Sequence, residues 1–166
     1  EEQLAKRIKE MAEEISKDYA GKDLLVVGIL KGSVLFTSDL IKNITIPCEI
    51  DFMAVSSYGN SAQTSGVVRI LKDLDSDIEN KHVLIVEDIV DTGTTLSYLL
   101  EYLKARKAAS IEIVALLDKE ARRTSNISAK YKGFDVPDEF IVGYGIDYAE
   151  KYRNLPFIGA LKEEIY

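Results

Sequence analysis

The chain has no tryptophan, three prolines and one cysteine among its 166 residues. A lone thiol excludes an internal disulfide, and with it the stapled small scaffolds of oxidising compartments. Cys48 lies in the apolar stretch Ile46-Pro47-Cys48-Glu49-Ile50 and reads as a small packing residue. A reduced, cytoplasmic setting is the expectation. No apolar run approaches the roughly 20 residues that span a bilayer. The charged N-terminus is unlike a signal peptide, so no membrane partner is expected. Positive charge is also scarce: 21 Lys and Arg stand against 28 Asp and Glu, a net charge of -7. That balance argues against a broad nucleic-acid surface, which needs clustered cations. It leaves room for a small phosphorylated ligand held by backbone amides and a metal. The first residue is Glu rather than Met, the expected mark of a processed or trimmed start.

With 46% hydrophobic residues, the chain has enough apolar material for a core without staples. Leu4, Ile8, Met11, Ile15 and Tyr19 recur at helical spacing and predict a helix over residues 3–20, stopped at Gly21. The unbroken run Leu24–Leu30 predicts a strand covered on both faces, and a helix over residues 33–42 follows. Residues 49–58 and 67–72 predict two strands. The polar stretch Gly59–Gly66 between them reads as a long, mobile hairpin loop. A further buried strand, Val83–Val86, leads through Glu87 to Thr95 into a helix with Leu96, Leu99, Leu100 and Leu103 on one face. Residues 110–117 are strand-like, and 139–144 and 156–160 are weaker candidates. Apolar strands alternating with helices predict an α/β fold around a mainly parallel, twisted sheet. With no internal repeat and no dividing linker, residues 1–166 are expected to form a single domain.

In such sheets ligands bind beyond the carboxyl ends of the strands. Lys31-Gly32-Ser33, Glu87–Thr95 and Asp118-Lys119 all fall there. Thr92, Gly93, Thr94 and Thr95 offer hydroxyls and free amides at a helix start, where the dipole favours an anion. The same residues would also serve as an ordinary capping turn. Glu87 and Asp88, read as the end of the strand, and Asp91 beyond them would repel a bare phosphate. They suit a ligand that also carries hydroxyls, a cation or a proton to be removed. An exposed acidic loop explains the charges, but not their place between a buried strand and a glycine turn.

The segment Val83-Leu84-Ile85-Val86-Glu87-Asp88-Ile89-Val90-Asp91-Thr92-Gly93-Thr94-Thr95 closely resembles the donor-binding signature of type I phosphoribosyltransferases. Within that family the chain is similar to the hypoxanthine-guanine branch. Leu30-Lys31-Gly32 matches its pyrophosphate loop, where a strained peptide before the Lys helps expose amides. Ser57-Tyr58 matches the start of its mobile loop, Asp118-Lys119 its base-recognising lysine, and Val142–Tyr148 followed by Arg153 its C-terminal hood.

The resemblance implies a purine phosphoribosyltransferase acting on phosphoribosyl pyrophosphate and a 6-oxopurine. Residues 92–95 would take the 5-phosphate, Glu87 and Asp88 the ribose hydroxyls, and Lys31, Gly32 and Arg153 the pyrophosphate. Asp91 would handle the proton at purine N7. Lys119, Phe140, Ile141 and Asp147 would bind the base, with Lys119 donating to the 6-oxo group and Phe140 stacking. Asp147, with Glu87 and Asp88, would hold magnesium. A homodimer or homotetramer is the expected assembly.

Each residue also has a plainer reading: surface lysine, core phenylalanine, surface ion pair. A nucleotide-sensing regulator on the same fold, and an enzyme for adenine, orotate or uracil, are the competing functions.

Overall fold

The computed structural model describes residues 1–57 and 68–166. Helix α1 (Glu2–Asp18) buries Leu4, Ile8, Met11 and Ile15, the predicted stripe, and ends in a turn at Gly21. Strand β1 (Leu24–Leu30) is buried almost throughout, and α2 (Val34–Asn43) covers it. Strands β2 (Cys48–Ser57) and β3 (Val68–Lys72) pair antiparallel. Of the expected loop, Tyr58 and Gly59–Gly66 lie outside the described residues, and Ser57 closes β2.

Strand β4 (His82–Val90), helix α3 (Thr94–Lys104) and strands β5 (Ser110–Asp118) and β6 (Tyr131–Asp135) complete a six-stranded sheet. Its order is β3-β2-β1-β4-β5-β6, parallel except at β3. Two apolar layers pack on its faces, one under α1 and α2 around Phe36 and Leu84, the other under α3 around Ile85 and Leu99. The alternation of Leu84 and Ile85 between these layers follows from the period of two along a strand. Strands β7 (Ile141–Val142) and β8 (Gly159–Ala160) form a small separate ribbon, much shorter than the 139–144 and 156–160 segments expected.

Two expectations need correction. Glu87 and Asp88 do not end their strand, because β4 stays paired with β5 as far as Val90 opposite Asp118. Its pairing with β1 stops at Val86, so the two carboxylates project where the sheet has opened on one side. Strand β6 was not anticipated: Tyr131-Lys132-Gly133-Phe134-Asp135 lacks an apolar run because it is an edge strand with one neighbour. Among the described residues, no helix is long and apolar enough to cross a membrane.

Candidate active site

At the carboxyl ends of β1 and β4 a cavity of about 300 Å³ opens. Gly32, Glu87, Asp88, Asp91, Thr92, Gly93, Thr94, Thr95, Asp147 and Arg153 all line it. Ten residues singled out from sequence thus converge, along with Ile29, Val55 and Ile89, which were not singled out. Those three are apolar strand residues and carry no polar signal of a site. Lys31, Lys119, Phe140 and Ile141 stand outside this cavity's lining.

The anion turn is built by backbone. Gly93 caps α3 at φ 83° and, as a glycine, supplies no side-chain cap. That conformation favours glycine, and a Cβ there would also collide with Ser125 Oγ. Neither Asp91 nor Thr92 is therefore the N-cap residue. Thr92 Oγ1 receives a long bond from the Thr94 amide at 3.4 Å. The segment after β5 braces the turn from behind: Ser125 Oγ donates to the Thr92 carbonyl at 3.0 Å, and the Thr124 amide donates to it at 3.1 Å.

Across the cavity, the peptide between Leu30 and Lys31 is cis. Asp88 reaches over Gly32, whose missing side chain leaves room for the carboxylate. Burial raises the carboxyl pKa of Asp88 to about 6, against the lowering effect of the Ile89 amide and Arg153. Burial, and then the neighbouring Asp88, likewise push Glu87 well above the usual carboxylate range. A protein that keeps two such groups together has a site suited to a cation or to hydroxyl donors. Among the described residues, no three His, Cys, Asp or Glu side chains close into a metal cage.

Arg153 is held between partners: its Nη1 donates to the Gly145 carbonyl at 2.7 Å, and its Nη2 lies 3.4 Å from Asp147 and 3.3 Å from Glu150. Glu150 also reaches Lys31 Nζ at 3.2 Å, so one carboxylate links both predicted pyrophosphate-binding cations. Glu150 was missed because an acid three residues before an arginine reads as an ordinary surface pair.

Among the described residues, three buried side-chain polar atoms lack a hydrogen-bond partner, and two of them, Asp91 Oδ1 and Arg153 Nε, belong to residues lining this cavity. Arg122 Nε stands 2.8 Å from Asp91 Oδ1, at ion-pair distance but not aligned as a hydrogen-bond donor. Buried polar groups usually have a partner, so Arg153 Nε, unmatched at the cavity, stands out.

Lys119 is buried next to Asp118, and its amide donates to the Val90 carbonyl at 2.9 Å. Ile141 is buried and pairs with Ala160. Phe140 is 37% exposed and packs edge-on against Tyr148 at 5.2 Å and tilted against Tyr166 at 5.0 Å. His82, read from sequence as structural or exposed, is half-buried with Nδ1 2.7 Å from Ser110 Oγ.

Known proteins match this arrangement over the whole chain. The family profile described as phosphoribosyl transferase domain matches residues 1–149. A hypoxanthine-guanine phosphoribosyltransferase of Staphylococcus aureus is 57% identical over all of this chain and 93% of its own length. A bifunctional protein TilS/HprT of Listeria monocytogenes is 54% identical over all of this chain, which spans 26% of that longer protein. Among solved structures, a hypoxanthine phosphoribosyltransferase from Staphylococcus aureus superposes with a TM-score of 0.96 at 57% identity, over 99% of this chain and 90% of that one. A hypoxanthine-guanine phosphoribosyltransferase from Bacillus anthracis, with a HEPES molecule in its active site, gives 0.93 at 48% identity, over 97% of this chain and 95% of that one. With its signature lining one cavity and its whole length matched, the chain belongs to the phosphoribosyltransferase family, in its hypoxanthine-guanine branch.

Proposed function

We propose that the chain transfers a ribose 5-phosphate from phosphoribosyl pyrophosphate to hypoxanthine or guanine, yielding IMP or GMP and pyrophosphate, and so serves purine salvage. The observation that carries this reading is the convergence on one cavity of Glu87, Asp88 and Asp91, the 92–95 turn, Gly32, Asp147 and Arg153. Asp91 is held by the Arg122 guanidinium on one side, and Arg153 Nε is a donor with no acceptor among the described residues.

In this reading the amides and hydroxyls of residues 92–95 grip the 5-phosphate at the start of α3. Glu87 and Asp88 accept hydrogen bonds from the ribose diol. Asp91 takes the N7 proton as the glycosidic bond forms at C1 with inversion, and Lys31, Gly32 and Arg153 bind the departing pyrophosphate. Lys119 donates to the 6-oxo group, Phe140 stacks on the ring, and Ile141 contacts the base.

The carboxylates fit magnesium, which takes one or two protein carboxylates plus phosphate oxygens and water. Asp147, with Glu87 and Asp88, would hold it from the cavity's lining. When bound, the ion neutralises charge on the pyrophosphate. We further propose that residues 1–166 act as one domain, in the cytoplasm, as a homodimer or homotetramer. Exposed Ile50 and Leu71 on the β2–β3 pair suit such an assembly.

Glu150 occupies both pyrophosphate cations before the donor arrives. Glu150→Gln is expected to lower the donor KM by about twofold to fivefold, because exposed pairs contribute up to about 1 kcal/mol. Steady-state titration of the donor reads this, and a raised KM would mean that Glu150 helps binding instead.

Asp88 supports a pH prediction. Its folded pKa is raised, from 3.8 to about 6. Across that window the folded chain holds a proton that the unfolded chain has lost, so this group's contribution to stability falls as pH rises. In metal-free buffer, Asp88→Asn is therefore expected to melt above the wild type at pH 7. The gap should close as pH falls towards 4, and a pH-independent gap would contradict the burial effect.

The reading itself is tested by offering hypoxanthine, guanine, xanthine and adenine separately with donor and magnesium. Nucleotide from the first two, and none from adenine, is expected. Adenine's 6-amino group is itself a donor and cannot accept from Lys119, so turnover of adenine alone would reassign the base.

A further inference from the structure

Asp91 is gripped from two sides by consecutive arginines whose positions in the sequence give no hint of it. Arg122 Nε lies 2.8 Å from Asp91 Oδ1, and Arg122 Nη1 extends to Asp138 at 3.5 Å. Arg123 Nε donates to the Asp91 backbone carbonyl at 3.1 Å. Its other nitrogens reach the Ile127 carbonyl at 2.7 Å and the buried carboxylate of Asp118. Asp118 directly precedes Lys119, and the Lys119 amide is itself bonded to the Val90 carbonyl, next to Asp91.

We propose that Arg122 is a positioning residue that holds the Asp91 carboxylate against purine N7, on an anchor in which Arg123 ties Asp91 to the Asp118-Lys119 strand end. The inference rests on the reading of Asp91 given above. Its physical content is a fixed spacing between two recognition points on one base, the 6-oxo group at Lys119 and N7 at Asp91. A carboxylate on a turn swings about its side-chain bonds, and a displacement of about 1 Å in a reacting group can cost as much as a hundredfold in rate. The guanidinium limits that swing by charge. The pair engages Oδ1, which is buried, while the Asp91 side chain stays 44% exposed, so its other oxygen is left for the incoming N–H. Arg123 has a different task. Its side chain is only 13% exposed, and it meets two carbonyls and a buried acid, so it sets the backbone rather than the carboxylate.

The test uses Arg122, whose side chain is 48% exposed. Arg122→Gln, Arg122→Lys, Asp91→Asn and the Asp91→Asn/Arg122→Gln double variant are assayed with hypoxanthine and donor, with melting curves alongside. Arg122→Gln is expected to melt with the wild type and to lose about tenfold in kcat, with both KM values within about twofold. Arg122→Lys should recover most of the loss. In the Asp91→Asn background the Gln substitution should change nothing further, because a residue acting through Asp91 has no route left. Wild-type kcat in Arg122→Gln, or the same tenfold loss in the Asp91→Asn background, would overturn the positioning role while leaving the role of Asp91 intact. Wild-type kcat in Asp91→Asn itself would instead remove the assignment of Asp91, and the positioning role with it.

Discussion

Replacing Asp91 with Asn is expected to lower kcat by about a hundredfold to ten-thousandfold with little change in either KM, the range over which a positioned acid or base contributes. The size follows from where the group sits. Asp91 lines the cavity beside the 92–95 turn, with Oδ1 paired to Arg122 at 2.8 Å and its side chain 44% exposed. An amide keeps the volume and one oxygen but cannot take a proton. Its oxygen would still accept a hydrogen bond from N7–H, so purine binding should persist while turnover fails. Single-turnover measurements with saturating hypoxanthine separate these effects. Loss of purine affinity at undiminished turnover would make Asp91 a binding group only.

Gly145→Ala is expected to loosen the hood, raising the donor KM by at least about tenfold and costing about 1–3 kcal/mol of stability. Gly145 sits at φ 97°, and a Cβ there would strike the carbonyl oxygen of Gly32 in the pyrophosphate loop. Backbone meets backbone at this point, so no side chain can swing aside. The same residue fixes Arg153 twice, donating from its amide to the Arg153 carbonyl at 2.9 Å and accepting from Arg153 Nη1 at 2.7 Å. Pushing Gly145 away from Gly32 thus separates the two groups that are to share the pyrophosphate. Donor KM and a urea unfolding curve measure the two effects. A variant with wild-type values for both would mean that the hood adjusts freely.

The central strands were legible because β1, β4 and β5 are covered on both faces and therefore read as unbroken apolar runs. The α1 stripe was legible for the complementary reason, one face buried and one in water. What sequence pattern conveyed poorly was the sheet's edge and the hood. β6 carries Lys132 and Asp135, and β7 and β8 span two residues each, too short for any periodicity. At the site, the signature residues converge because they are local to one strand and one turn. Contacts of Arg122 and Arg123 with Asp91 join segments 31 and 32 positions apart, and no pattern along the chain encodes them. Phe140 illustrates the opposite difficulty. Its sequence context suits core packing as well as stacking, and it rests on Tyr148 and Tyr166 while still partly exposed.

The most direct test supplies phosphoribosyl pyrophosphate, magnesium and hypoxanthine to the chain, and measures IMP and pyrophosphate together, with donor binding followed separately by calorimetry. Both products in equal amounts are the expected result. Donor binding without either product would show a pocket that senses the ligand and performs no transfer.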